Sequence, residues 1–110
     1  RRFLISFIAM QKKEDCVEVL RSFILDESPL VRQQVALELG KLSLVGVREA
    51  FLEIARFEVH EEVLKHLLDY LDENKDPEIF QILSEREELR NEVMLKRLTS
   101  LAESYAHRKD

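Results

Sequence analysis

At 110 residues, 45% of them hydrophobic, the chain is long enough to bury a core without disulfide staples, as one domain or as a length of a larger array. Two glycines and two prolines supply too few turn formers for a small β-sandwich or barrel, so long helices are expected. Charged residues make up 35% of the chain and the net charge is -5, a field that repels phosphate backbones and argues against general nucleic-acid binding. Cys16 has no internal disulfide partner, as is ordinary in reducing compartments, and a cytoplasmic location is the expectation.

The first predicted helix spans 1-11. Its apolar run from Phe3 to Met10, broken by Ser6, falls short of the roughly 20 residues that cross a bilayer, so no membrane insertion is expected. Arg1 and Arg2 loosely resemble the start of a secretory signal, but no small-residue cleavage site follows, and Gln11 to Asp15 reads as a helix junction. The chain opens on arginine instead of methionine, as expected of a fragment of a larger protein or a processed chain.

Breaker signals at Lys12 to Asp15, Glu27 to Pro29, Leu44 to Gly46, Glu58 to Glu61, Asn74 to Pro77 and Glu87 to Asn91 mark the further cuts. They predict helices over 15-25, 29-42, 47-57, 61-73, 77-85 and 91-107, around seven in all. Spacings of three and four, as in Val31, Val35, Leu39, Leu42 and in Val63, Leu67, Leu71, mark core positions. Ser28 ahead of Pro29 and Asp76 ahead of Pro77 read as N-caps, and Asn91 as a weaker one. Gly40 and Gly46, near a helix end and in a connection, suit close packing or a left-handed turn.

Sliding the chain by 32 positions places Val31 on Val63, Val35 on Leu67, Ala36 on Leu68 and Leu39 on Leu71. The same shift backwards sets Phe3 on Val35, Leu4 on Ala36, Phe7 on Leu39 and Met10 on Leu42; a shift near 30 sets Val63 on Val93, Leu68 on Leu98 and Leu71 on Leu101. A period of that length holding two helices predicts an all-α fold, an α-solenoid of about three antiparallel helix pairs. The chain then divides into a helix of a preceding repeat, 1-11, repeats 13-44 and 45-74, and a degenerate repeat 75-110.

The segment from Asp26 to Leu42, with Ser28-Pro29, Val31-Arg32 and Leu39-Gly40, closely resembles the second half of a HEAT repeat of the phycobilin-lyase type. The following copy keeps an acid, Glu58, but has Leu64 for Arg32 and Asp72 for Gly40. The resemblance implies a HEAT/armadillo-like fold in which Asp26 and Arg32 serve as an inter-repeat ladder. It also implies that helices 1-11, 29-42 and 61-73 line a concave face, whose outward residues include Leu30, Gln33, Gln34, Leu37, Lys41, Glu62, Lys65, His66, Asp69, Tyr70 and Glu73. The shift of 32 arranges Ile5, Leu37, Asp69 and likewise Ser6, Glu38, Tyr70 into rows. Leu30 and Leu37, apolar yet off the core stripe, point to a contact site.

HEAT-like folds also host metal-dependent hydroxylation through repeated His-Glu pairs. Here His60-Glu61 stands where the preceding copy has Ser28-Pro29, so one pair makes no site. His60, His66 and His107 read as solvated histidines, Cys16 as a packed thiol, and the acidic pairs as solvated helix faces. Arg90, Lys96, Arg97, Arg108 and Lys109 are interleaved with glutamates, which reads as a salt-bridged surface and not a phosphate-binding face. The expected function is a protein-binding scaffold, not an enzyme and without cofactor, that takes a helical or extended partner segment bearing basic residues. The alternatives are a structural length of a longer solenoid, self-associating through its N-terminal helix, and part of a metal-dependent or nucleic-acid-modifying enzyme.

Overall fold

A computed structural model describes residues 2-10 and 14-108, and within these the side chains of 2, 3, 9, 10, 14, 15, 107 and 108 are left aside. The predicted junction at Lys12 and Lys13, the side chains of Phe3, Met10, His107 and Arg108, and all of Lys109 therefore lie outside the described residues. Among the described residues seven α-helices follow one another: α1 (Arg2–Met10), α2 (Glu14–Arg21), α3 (Pro29–Gly40), α4 (Val47–Phe57), α5 (Glu61–Asn74), α6 (Pro77–Glu85) and α7 (Glu92–Arg108), with a 3-10 turn, Glu87–Leu89, before the last. The described residues include no strand.

Helix ends follow the local chemistry. Asp76 caps α6, its carboxylate accepting from the amides of Glu78 at 3.1 Å and Ile79 at 3.2 Å, and Asn91 accepts from Met94 N at 2.9 Å. Ser28 sits in the N-cap position of α3 with extended backbone, yet its side chain makes no cap bond. Pro29 removes one amide, and the carboxylate of Asp26 accepts instead from Ser28 N at 2.9 Å. Glu58 repeats this device 32 residues on, accepting from His60 N at 3.0 Å before α5. The end of α2 comes at Arg21, short of the expected 25, because the amides of Phe23 and Ile24 turn to carbonyls three residues back.

The rows of helices are visible in their contacts. α1, α3, α5 and α7 touch in succession, α2, α4 and α6 likewise, and the rows meet through α1–α2, α2–α3, α3–α4 and α4–α5. The Cα envelope measures 39 × 30 × 16 Å. Two helix layers about 10 Å apart, each with a Cα radius of about 2.3 Å, come to about 15 Å, which accounts for the thin dimension.

Val31, Val35, Leu39, Val63, Leu67 and Leu71 are all buried, as their spacing predicts, whereas Leu42, past the end of α3, is half-buried; Phe51, Leu20 and Ile79 join the same core from the other row. In α1 the shifted alignment fails. Leu4 is 50% and Phe7 61% exposed where their counterparts Ala36 and Leu39 are buried, and Ile5 is fully buried. The reason is geometric: α3 is flanked by α1 and α5, whereas among the described residues α1 contacts only α2 and α3 appreciably, so these cover just one side of it. Val93 departs similarly, half exposed while Met94 beside it is buried.

The two glycines differ. Gly46, ahead of α4, has φ +95°, and a Cβ there would lie 3.2 Å from Val17 Cγ1, so the left-handed turn and the close approach both hold. Gly40 shows neither: it is the last helical residue of α3, without positive φ, and a Cβ would meet nothing within 4 Å. Gly46→Ala is therefore expected to lower stability by about 1–2 kcal/mol, and Gly40→Ala to raise it by about 0.5–1 kcal/mol, as read by urea denaturation followed by circular dichroism.

Candidate functional site

Positions three and four apart on α3 and α5 meet across the join of the two helices and leave a groove of about 150 Å³. Ala36, Leu37, Gly40 and Lys41 form one wall, and His66, Asp69, Tyr70 and Glu73 the other. Tyr70 is held from behind by Phe51 of α4, the rings stacked with centroids 4.2 Å apart. A second groove of about 310 Å³ adjoins the first and shares Gly40, Tyr70 and Glu73 with it; Leu42, Leu44, Arg48 and Asn74 complete its outer part.

Most charges around the grooves are already engaged. Lys41 Nζ lies 3.4 Å from Glu38, which also accepts from Gln34 at 3.0 Å. Arg48 pairs with Asp76 at 2.5 Å and Glu78 at 2.5 Å, and these carboxylates raise its pKa, the Asp76 hydrogen bond most. Arg97 of α7 reaches Asp69 at 3.1 Å and Asp72 at 3.1 Å. Glu73 makes no ion pair among the described residues. Burial pushes the Tyr70 phenol up, and the Asp76 charge adds to it. For Asp76, burial pushes the carboxyl up, but the Arg48 guanidinium with the amides of Ile79 and Glu78 outweighs it, and the pKa falls below its ordinary value.

Leu37, Lys41, His66, Asp69, Tyr70 and Glu73, all expected on a contact face, are brought together by this groove. The others lie elsewhere. Leu30, in the first turn of α3, is exposed; Gln33 is half-buried; Glu62 is exposed and 3.2 Å from Lys65 Nζ. Gln34 donates to Ser6 Oγ at 3.0 Å, tying α3 to α1. The aligned row Ile5, Leu37, Asp69 does not form one surface, since Ile5 is buried and Asp69 exposed. Asp26 and Arg32 meet through the Asp26 carbonyl, 2.7 Å from Arg32 Nη1, while Arg32 Nε donates to Glu58 at 2.8 Å.

Sequence reasoning missed a second cluster. Leu25, Phe57 and Val59 are 71%, 61% and 65% exposed around the Arg32–Glu58 pair, where they line a depression of about 240 Å³ with Ile24. Leu25 and Phe57 stand 32 residues apart at the same place in the alignment, the one signal that could have found them. His60 and Glu61 are exposed at the start of α5, and Cys16 is buried. Among the described residues no group of three or more His, Cys, Asp or Glu is placed to hold a metal ion, and no helix is long and apolar enough to cross a membrane. An apolar floor with a charged rim is an arrangement for holding a ligand by shape and charge.

No family model matches this chain, and neither curated proteins nor solved structures provide a match.

The flank formed by Arg48 and Asp76 is open to a pH test. A carboxyl whose pKa is lowered on folding contributes stability above its unfolded value of about 3.9, and that contribution is lost as pH falls through the folded value. Asp76→Asn keeps the cap and removes the charge; it is expected to melt below the native chain at neutral pH and to converge with it as pH drops below about 4. Asp76→Ala loses the cap as well, at a cost of about 1 kcal/mol at neutral pH.

Proposed function

We propose that this chain is a stacked-repeat scaffold of the HEAT-like kind, which binds a segment of a protein partner in the groove between α3 and α5. The observation that carries the reading is the groove itself, where Leu37 supplies apolar contact and Lys41, His66, Asp69 and Glu73 a polar rim. Support for stacked repeats comes from the spacing of the polar ties between elements. Gln34–Ser6, Arg48–Asp76 and Arg97–Asp69 each join residues 28 apart, and Arg21–Glu53 residues 32 apart. A chain in which contacts run from each unit to the next has this pattern.

Leu37→Lys is the variant that separates the groove from the rest, because Leu37 is half-buried at its wall and lies outside the buried stripe. Captured proteins from an extract of the source cell, identified by mass spectrometry, are expected on the native chain and missing from a Leu37→Lys variant of equal helicity. Equal capture by both would place binding elsewhere.

A second reading, a structural length of a longer array that also associates with copies of itself, is favoured by the exposed Leu4 and Phe7 of α1. It predicts concentration-dependent association in analytical ultracentrifugation that Phe7→Ser abolishes. A monomer at all concentrations would remove self-association.

A further inference from the structure

The groove between α3 and α5 contains a feature that the fold does not require. Gly40 is the last helical residue of α3, without the positive φ that favours glycine at a helix end, and nothing stands within 4 Å of the place its side chain would take. A larger residue would fit the fold. It would, however, project from the one main-chain position common to both grooves on the α3 side. Glycine at that position keeps open a saddle bounded across the gap by Tyr70 and Glu73.

The charge of the saddle is equally uneven. The lysine and arginine that line it are engaged: Lys41 with Glu38, and Arg48 with Asp76 and Glu78. His66 also lines the first groove, further along α5. Glu73, in contrast, has no cationic partner among the described residues, and Asp69 shares a single arginine with Asp72. The final turns of α3 and α5 flank the saddle, with Lys41 and Lys75 at their C-caps and Lys75 Nζ 2.8 Å from the Asp72 carbonyl, so Glu73 itself is the charge left to a partner.

We infer that the saddle over Gly40 receives a lysine or arginine side chain of the partner segment, its aliphatic stem lying on Gly40 and its cationic head on Glu73. This rests on the reading of the groove as a partner site. A long basic side chain suits both halves, since its methylenes pack on a bare backbone while its charge reaches the carboxylate. A neighbouring apolar residue of the same segment packs on Leu37.

The test uses a random-sequence peptide library panned on the whole chain, with enriched peptides then titrated by fluorescence anisotropy against the native chain and Leu37→Lys, Gly40→Leu and Glu73→Gln variants. Circular dichroism and melting verify that each variant is folded; Glu73 is exposed, which keeps the charge test independent of folding. Enriched peptides are expected to pair a basic with an apolar residue, and to lose about tenfold in affinity to Glu73→Gln and at least as much to Gly40→Leu. Peptides that need Leu37 and Gly40 but bind Glu73→Gln undiminished would overturn the basic-partner inference and leave the groove standing. Peptides indifferent to all three variants, or no enrichment, would overturn the groove reading with it.

Discussion

The burial of α3 between α1 and α5 is the constraint on which the rest of the structure depends. Val35 and Leu39 are fully buried, and burying such side chains contributes about 1.5–3 kcal/mol each. No single neighbour could cover them together with Val31 and Ala36, and α3 indeed touches α1, α2, α4 and α5. Enclosure of this kind also draws polar groups inward. Glu38 is buried, and it is satisfied by Gln34, which in turn reaches Ser6 of α1. No buried side-chain nitrogen or oxygen among the described residues lacks a partner. The same enclosure makes the groove, because helices held side by side by their buried stripes leave a furrow where the flanking residues are small, as at Ala36 and Gly40.

Arginines form the polar counterpart of that packing. Arg21 reaches Glu53 from α2 to α4, Arg32 reaches Glu58 at the end of α4, and Arg86 donates to the carbonyls of Ala55 at 2.8 Å and Glu58 at 2.7 Å. Two of these converge on the turn after α4. There Glu58 holds Arg32 with one oxygen and the amides of Val59 and His60 with the other, so a buried carboxylate has every strong donor it needs. Guanidinium groups suit such joints, since a planar fork can span two elements with little loss of freedom on binding.

Much of this was legible in the sequence because it rests on local chemistry. Pro29, Pro77 and Gly46 mark helix starts by rules that need no tertiary context, and the stripe Val31, Val35, Leu39 reads as core from its spacing alone. What was not legible depends on neighbours. Leu4 and Phe7 look like core residues by alignment with α3, but their burial requires a helix on the far side of α1. Ser28 has the right identity for a cap, yet its side chain makes no cap bond, and Asp26 accepts instead from the Ser28 amide just outside the helix, an outcome that composition does not decide. Of the candidate contact residues, those within reach of both α3 and α5 came together, whereas Leu30 and Glu62 lie at the opposite ends of the same helices and do not.

The contrast between the two glycines bears on how a sequence encodes a site. Gly46 is explained by the fold: a left-handed turn leads into α4, and Val17 packs close to its α-carbon. At Gly40, the last residue of α3, neither a positive φ nor a close contact calls for glycine. A residue that neither local conformation nor packing calls for is expected where something other than stability is being served. Here it coincides with the meeting of two grooves and with a carboxylate, Glu73, that no described cation neutralises. Independent departures from what folding favours, one steric and one electrostatic, thus fall on the walls of the same grooves. Space beside an uncompensated negative charge is what a cationic side chain needs.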